Sequence, residues 1–136
     1  MFLLSMLFHF VSYDLWFYVS HIVLHKHFSK LHNIHHKTPY DKLKWYNTTD
    51  GHILENIIEP IGLFIPFLFY VDIQSCCVVG VIISIRGYMR HDDRFSFIVG
   101  NHHLIHHKNP NYNFSEYYID YLFGTLHENI ENTYER

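Results

Sequence analysis

Cysteine is scarce in this chain of 136 residues: there are two, and they are neighbours, Cys76 and Cys77. Residues one peptide apart are poorly placed to bridge each other, which excludes a disulfide framework. Within an apolar run they read as small packed or lipid-facing residues. Positive charge is also missing over long stretches, with no Lys or Arg before Lys26 and none between Lys44 and Arg86. The net charge is −3 with histidine neutral, so no global field exists to recruit nucleic acid, and no nucleic-acid partner is expected. Length allows a single domain over residues 1–136 and leaves too little chain for a second.

What is present is apolar, aromatic and rich in imidazole: 49% apolar residues, 18% aromatic, and 14 histidines. The segment from Phe2 to Ser20 would cover roughly 28 Å as a helix, close to the hydrocarbon thickness of a bilayer. It has neither the basic flank nor the small-residue cleavage site of a signal peptide, and reads as an uncleaved anchor. From His21 to Asp50 the chain turns polar and basic, with Pro39 and Asp50-Gly51 as breakers. Two apolar arms follow, Ile53 to Tyr70 and Cys76 to Met89, joined by a polar turn at Val71 to Ser75. As helices they reach roughly 27 and 21 Å. Glu55, Glu59, Pro60 and Pro66 interrupt the first, leaving a spanning and a re-entrant hairpin both open.

Either hairpin returns to the face that holds the loop after the first helix, so all basic residues share one side. By the positive-inside rule that side is cytosolic, with Met1 and the Asp72 turn opposite. Residues Arg90 to Arg136 are polar and aromatic and are expected to fold back on the same face. The expected fold class is therefore all-α: an integral membrane protein with a first spanning helix, a helical hairpin and a His-rich helical cap at the cytosolic face. The sequons at Asn47 and Asn113 fall on that side and are expected to be unmodified.

The histidines recur at spacings of three and four: His21 and His25; His32, His35 and His36; His103, His106 and His107. His91 and His52 stand between the groups. On a helix such residues share a face with Cβ atoms roughly 5–6 Å apart, which lets imidazoles converge on one ion. One pair at that spacing is commonly a surface feature, but three groups on one side of a membrane point to metal. A structural zinc needs about four ligands. The three groups alone hold eight imidazoles, which fits two metals that each keep an open position. Imidazole suits iron, copper, nickel and zinc alike, so the ligands do not name the ion.

The groups stand as HIVLH, HNIHH and HLIHH, and this pattern resembles the HxxxH, HxxHH and HxxHH boxes of the fatty acid hydroxylase/sterol desaturase superfamily. The flanks are similar as well. Asp14 and Tyr18 precede the first box, His52 and Glu55 give the His-x-x-Glu after the second, and His91 is the isolated histidine after the hairpin. Asn113-Phe114-Ser115 and Asp120-Tyr121-Leu122-Phe123-Gly124-Thr125 match the family's closing patterns, so the likeness runs from Asp14 to Thr125. Departures are Ile22 in place of Arg, Ser115 in place of Gly, and Asp92-Asp93 after the isolated histidine. Many relatives carry further membrane sequence before the first box, which raises an additional membrane subunit as a partner that would complete a lipid tunnel.

The resemblance implies two iron ions that use oxygen to hydroxylate or desaturate a fatty acid, sphingolipid or sterol. Zinc, with the higher intrinsic affinity, is expected to displace iron during isolation. The implied ligands are His21, His25, His32, His35, His36, His91, His103, His106 and His107, with His52 as a further candidate. Asp14 and Asp120 are expected to take the free N–H of ligating histidines, although a cap or turn role is open for Asp120. His102, about 100° around a helix from His103, is left out, as are His9, His27 and His127. Trp16 and Tyr18 read as interfacial aromatics, and Gly124 as a turn residue.

No haem or flavin segment is visible, so a separate electron donor, a b-type cytochrome with its reductase, is implied. The expected setting is a membrane, the endoplasmic reticulum in a eukaryotic cell. Two rival classes fit the same histidines: a catalytically silent, truncated membrane metal-binding protein, and a metal transporter. The second is disfavoured because its ligands belong at mid-membrane depth, whereas His21 lies at the edge.

Overall fold

Neither proline nor glycine occurs in the first 27 residues, and nothing there stops a helix once it has started. In the computed structural model, which describes residues 1–127, α1 spans Phe2–His27 without a break. It runs a full two turns beyond Ser20, so the first histidine box sits on the end of the helix rather than in the loop after it. The part of the expected cap from residue 128 to Arg136 lies outside the described residues.

Past Phe28 the chain makes one short helix, α2 (Ser29–His32), and three 3-10 turns at His35–Lys37, Tyr40–Lys42 and Trp45–Thr49. Helix α3 (Ile53–Ile58) starts at His52, whose ring nitrogen accepts from the Leu54 N–H. The first arm of the hairpin is not the regular helix expected from its apolar run: after Ile58 it continues as 3-10 helix over Glu59–Leu68. Pro60 stands near its start and Pro66 inside it, and proline removes the N–H that an α-helical turn would use. Asp72 caps α4 (Ile73–Arg90) by accepting from Ser75 N–H at 3.1 Å. Three short helices complete the described chain: α5 (Ser96–Val99), α6 (His102–Lys108) and α7 (Tyr117–Phe123).

Helix α1 packs along the 59–68 segment and against α4. Gly62 makes the first contact close: a Cβ there would lie 2.5 Å from Trp16 Cβ and 2.9 Å from Tyr13 Cα. Tyr13, Phe17, Val79 and Ile83 form the core between these elements. The opposite face of α1 is apolar and uncovered, with Leu3, Leu4, Leu7 and Val19 exposed. Among the described residues, α1 is the one helix long and apolar enough to cross a membrane.

A second core cluster of Tyr18, Phe114 and Ile119 docks the C-terminal helices onto α1. Tyr18 is buried there and stacks on Phe123 at 4.9 Å between ring centroids, and Trp16 Nε1–H donates to the Ile58 carbonyl at 2.8 Å. Tyr18 thus packs under the C-terminal helices, and the half-buried Trp16 is tied to α3. Asp14 is placed differently from its expectation. Its carboxylate pairs with Arg86 of α4 and accepts from Tyr118 Oη at 2.6 Å, so it joins three elements rather than touching a histidine of the boxes. Asn113 is buried, in the left-handed region at φ 58°, and its Nδ2 donates to the His102 carbonyl at 3.3 Å. Both cysteines are free, Cys76 buried and Cys77 exposed.

Candidate metal centre

An imidazole whose Nδ1–H is given to an oxygen has a lone pair left on Nε2. The sequence and fold arrange this repeatedly. His21 Nδ1 donates to the Phe114 carbonyl at 2.5 Å, His106 Nδ1 to the Tyr112 carbonyl at 2.7 Å and His91 Nδ1 to the Gly87 carbonyl at 2.9 Å. His35 Nδ1 donates to the Asp50 carbonyl at 3.1 Å, and His32 Nδ1 to the buried Glu55 carboxylate at 2.7 Å. A carbonyl can only accept, so these contacts fix the tautomer and aim the lone pairs inward.

The inward nitrogens fall into two sets. His21, His25, His32, His36 and His106 form one, and His35, His91, His103 and His107 the other, with the ligand atoms of each set within 4.8 Å of one another. Spacing explains the division. His21 and His25 on α1, and His103 and His107 on α6, are four apart on one helix, so each pair shares a face and a set; His32 at the end of α2 and His36 in the following 3-10 turn are brought together by the turn between them. The adjacent pairs His35-His36 and His106-His107 point apart, sending one ring to each set. A doubled histidine at the end of a box therefore bridges the two sites.

Within the sets Nε2 meets Nε2 at short range: His21 to His32 at 3.0 Å, and His91 to His35 at 3.1 Å. All four rings have already given their Nδ1 proton to an oxygen, so each contact brings lone pair against lone pair. Such a contact is repulsive unless a cation lies between. Nitrogens about 2.0–2.1 Å from one ion stand about 3 Å apart when they subtend roughly a right angle, so the separations suit shared ligation. His107 has both ring nitrogens buried without a hydrogen-bond partner, and His103 Nδ1 is likewise alone. These unspent atoms and the all-imidazole donor sets fit two borderline transition metals such as iron.

Burial keeps the rings neutral. It lowers His32 to about 4, and with the help of neighbouring imidazoles it lowers His36 to about 2 and His91 to about 3. The same causes, burial first, hold His103, His106 and His107 below the ordinary value. At neutral pH no proton competes with a metal for these nitrogens.

His52 stands outside both sets; it caps α3 instead. Asp120 does not touch a histidine of either set. It accepts from His102 Nε2 at 2.9 Å, from the N–H groups of Phe114 and Ser115 at 2.8 Å each, and from Thr125 Oγ1 at 2.6 Å. It therefore acts at one remove, holding the turn whose Phe114 carbonyl orients His21. The carboxylate that does receive a ligand N–H is Glu55, which sequence reasoning did not assign; its signal was its place three residues after His52.

Beside the two sets lies a cavity of about 330 Å³ between α1, the 59–68 segment and α4. His21 from one set and His35, His91 and His103 from the other line it, as do the apolar Phe17, Leu63 and Ile83. The centre thus borders a partly apolar chamber.

Comparison with known proteins agrees with this geometry. Residues 6–125 match the family model described as Fatty acid hydroxylase, a span that contains both histidine sets, Glu55 and Asp120. No curated protein and no solved structure matches the chain. With its boxes in order, its imidazoles gathered into two adjoining sets and nearly all of its described length within the match, the chain belongs to the fatty acid hydroxylase family.

Proposed function

We propose that this protein is an oxygen-dependent lipid hydroxylase or desaturase that works at two irons, one on each histidine set. The observation that carries the reading is the shared cavity: imidazoles of both sets line it together with the apolar Phe17, Leu63 and Ile83. When bound, the irons supply oxygen activation, one oxygen atom entering a C–H bond while the other leaves as water with two electrons and two protons. In desaturation both oxygen atoms leave as water, two hydrogens coming from the lipid and the other two electrons and two protons from the donor side. The neutral imidazoles add no charge of their own, which leaves that of the cations to act on oxygen. Phe17, Leu63 and Ile83 hold the hydrocarbon and keep water from it.

The setting follows from α1. Its uncovered apolar face and length suit a membrane anchor, and its histidine end is followed by Lys26, Lys30 and Lys37, which the positive-inside rule assigns to the cytosol. In a eukaryotic cell the endoplasmic reticulum is the matching membrane. Electrons come from a separate donor, a b-type cytochrome with its reductase, and a further membrane subunit is a candidate to cover the exposed faces of α1 and α4. The test is expression with such a donor and analysis of total lipids beside a His106→Ala control. Oxygen-dependent alcohols or alkenes in the wild type alone are expected; their absence with both irons loaded would overturn the proposal.

A further inference from the structure

The ligating imidazoles do not all face the cavity. His21, His35, His91 and His103 line it, and these four are buried. His25 and His36 of the first set and His107 of the second are only half-buried and stand outside its lining. Each set therefore has one side toward the cavity and another toward solvent. The two solvent edges adjoin: the ring centroids of His36 and His107 are 4.5 Å apart, and those of His25 and His36 5.0 Å.

Each half-buried ligand is followed by an exposed lysine, in the pairs His25-Lys26, His36-Lys37 and His107-Lys108. Lys108 reaches over the Tyr40 ring, its Nζ 5.3 Å from the centroid, which joins it to the loop that carries Lys37 and Lys42. Lys30 adds a further exposed cation, and Asp41 is the one acidic residue between Lys26 and Lys44. Lys44 is set apart, its Nζ paired with Asp93 at 3.7 Å; the other lysines of this face pair with no carboxylate among the described residues. Along α1 the cavity residues Tyr13 and Phe17 precede Ser20, whereas Lys26 stands about 9 Å beyond it. The cavity thus lies at the depth of the proposed span and the lysines on its water side.

We propose that this lysine-rimmed edge is the docking face of an acidic haem protein that carries one electron, and that electrons enter the metal centre there, through the rings of His36 and His107. A positive rim draws and orients an acidic partner, and it does so on the side of the centre away from the cavity. Each docking oxidises one ferrous haem to ferric and delivers one electron, so two dockings supply the pair that a turnover consumes. The inference rests on the hydroxylase or desaturase reading above and gives its electron donor a place on the surface.

The test measures binding of the soluble, acidic haem domain of a b-type cytochrome to the Zn(II)-loaded chain in nanodiscs of neutral phosphatidylcholine. Binding that weakens with salt is expected. It should be about tenfold weaker when Lys37→Glu and Lys108→Glu are combined and unchanged in Lys44→Glu. Should the first pair cost zinc by elemental analysis, Lys26→Glu with Lys30→Glu carries the same expectation. Carbodiimide coupling of the probe's carboxylates should join Lys37 or Lys108. No binding to the wild type, full binding in the charge-reversed chain, or coupling chiefly at Lys44 would overturn the proposal. Lysine-dependent binding to phosphatidylserine vesicles in place of the haem domain would assign the rim to lipid headgroups and overturn it equally. Docking without lipid products from the iron-loaded chain removes the proposed function alone, and products without docking remove this inference alone.

Discussion

Glu55 offers the sharpest local perturbation of the metal centre. Its carboxylate is buried and accepts the Nδ1–H of His32 at 2.7 Å, fixing that ring with Nε2 toward His21 and His36. Removing such a partner of a ligating histidine costs about 10–100-fold in metal affinity, or about 1.4–2.7 kcal/mol. Glutamine can still accept through its carbonyl but loses the charge that roughly doubles the strength of the bond, so Glu55→Gln belongs near the tenfold end. Glu55→Ala leaves the Nδ1–H without an acceptor and belongs near the hundredfold end. Because the contact is to His32, the loss should fall on the five-histidine set and spare the four-histidine set. Competition between a chelator and the protein for Zn(II) resolves the two sites. Wild-type affinity at both sites in Glu55→Ala would refute the reasoning, as would equal loss at both.

Three further expectations follow from the same geometry. Gly62→Ala puts a Cβ 2.5 Å from Trp16 Cβ and should destabilise the protein by about 1–3 kcal/mol, read as a lower thermal midpoint in detergent. His52→Ala should retain both metals in elemental analysis and lose only the α3 cap, at a cost of about 1 kcal/mol. Metal-free protein should lose stability in acid. His32, His36 and His91 are lowered by burial to about 4, 2 and 3, so the folded state binds fewer protons than the unfolded one below pH about 6.5. Stability is full above that value and falls as pH drops from it toward the folded values. Denaturant titrations at pH 7.5 and 5 check this, and equal stability at the two would contradict it.

Much of the site could be read from the sequence because ligand spacing is a local property. Residues four apart on one helix, as in the first and third boxes, share a face whatever the tertiary fold, and every histidine of the three boxes, with His91, falls in one of the two sets. Assignment of rings to sets was beyond the sequence, since it depends on how α1, α6 and the 35–37 turn meet in space. The carboxylates show the same limit. Asp14 and Asp120 looked like partners for ligating imidazoles, but Asp14 faces Arg86 and Tyr118 and Asp120 faces a turn and His102. Only the fold decides which carboxylate a given N–H meets, and it brought Glu55 to His32. For the fold, the long α1 was legible from the absence of breakers. Its true end was not, because the helix continues through residues that are polar yet fully compatible with it. The 3-10 form of the first hairpin arm was signalled by Pro60 and Pro66, but the apolar run outweighed them.

The central claim is that the two histidine sets hold two separate metals. Elemental analysis of iron-reconstituted protein, beside His25→Ala for the first set and His107→Ala for the second, tests it most directly. The account predicts two metals per chain in the wild type and one in each variant, with the retained metal differing between them. A single metal in the wild type that is lost in both variants would contradict it.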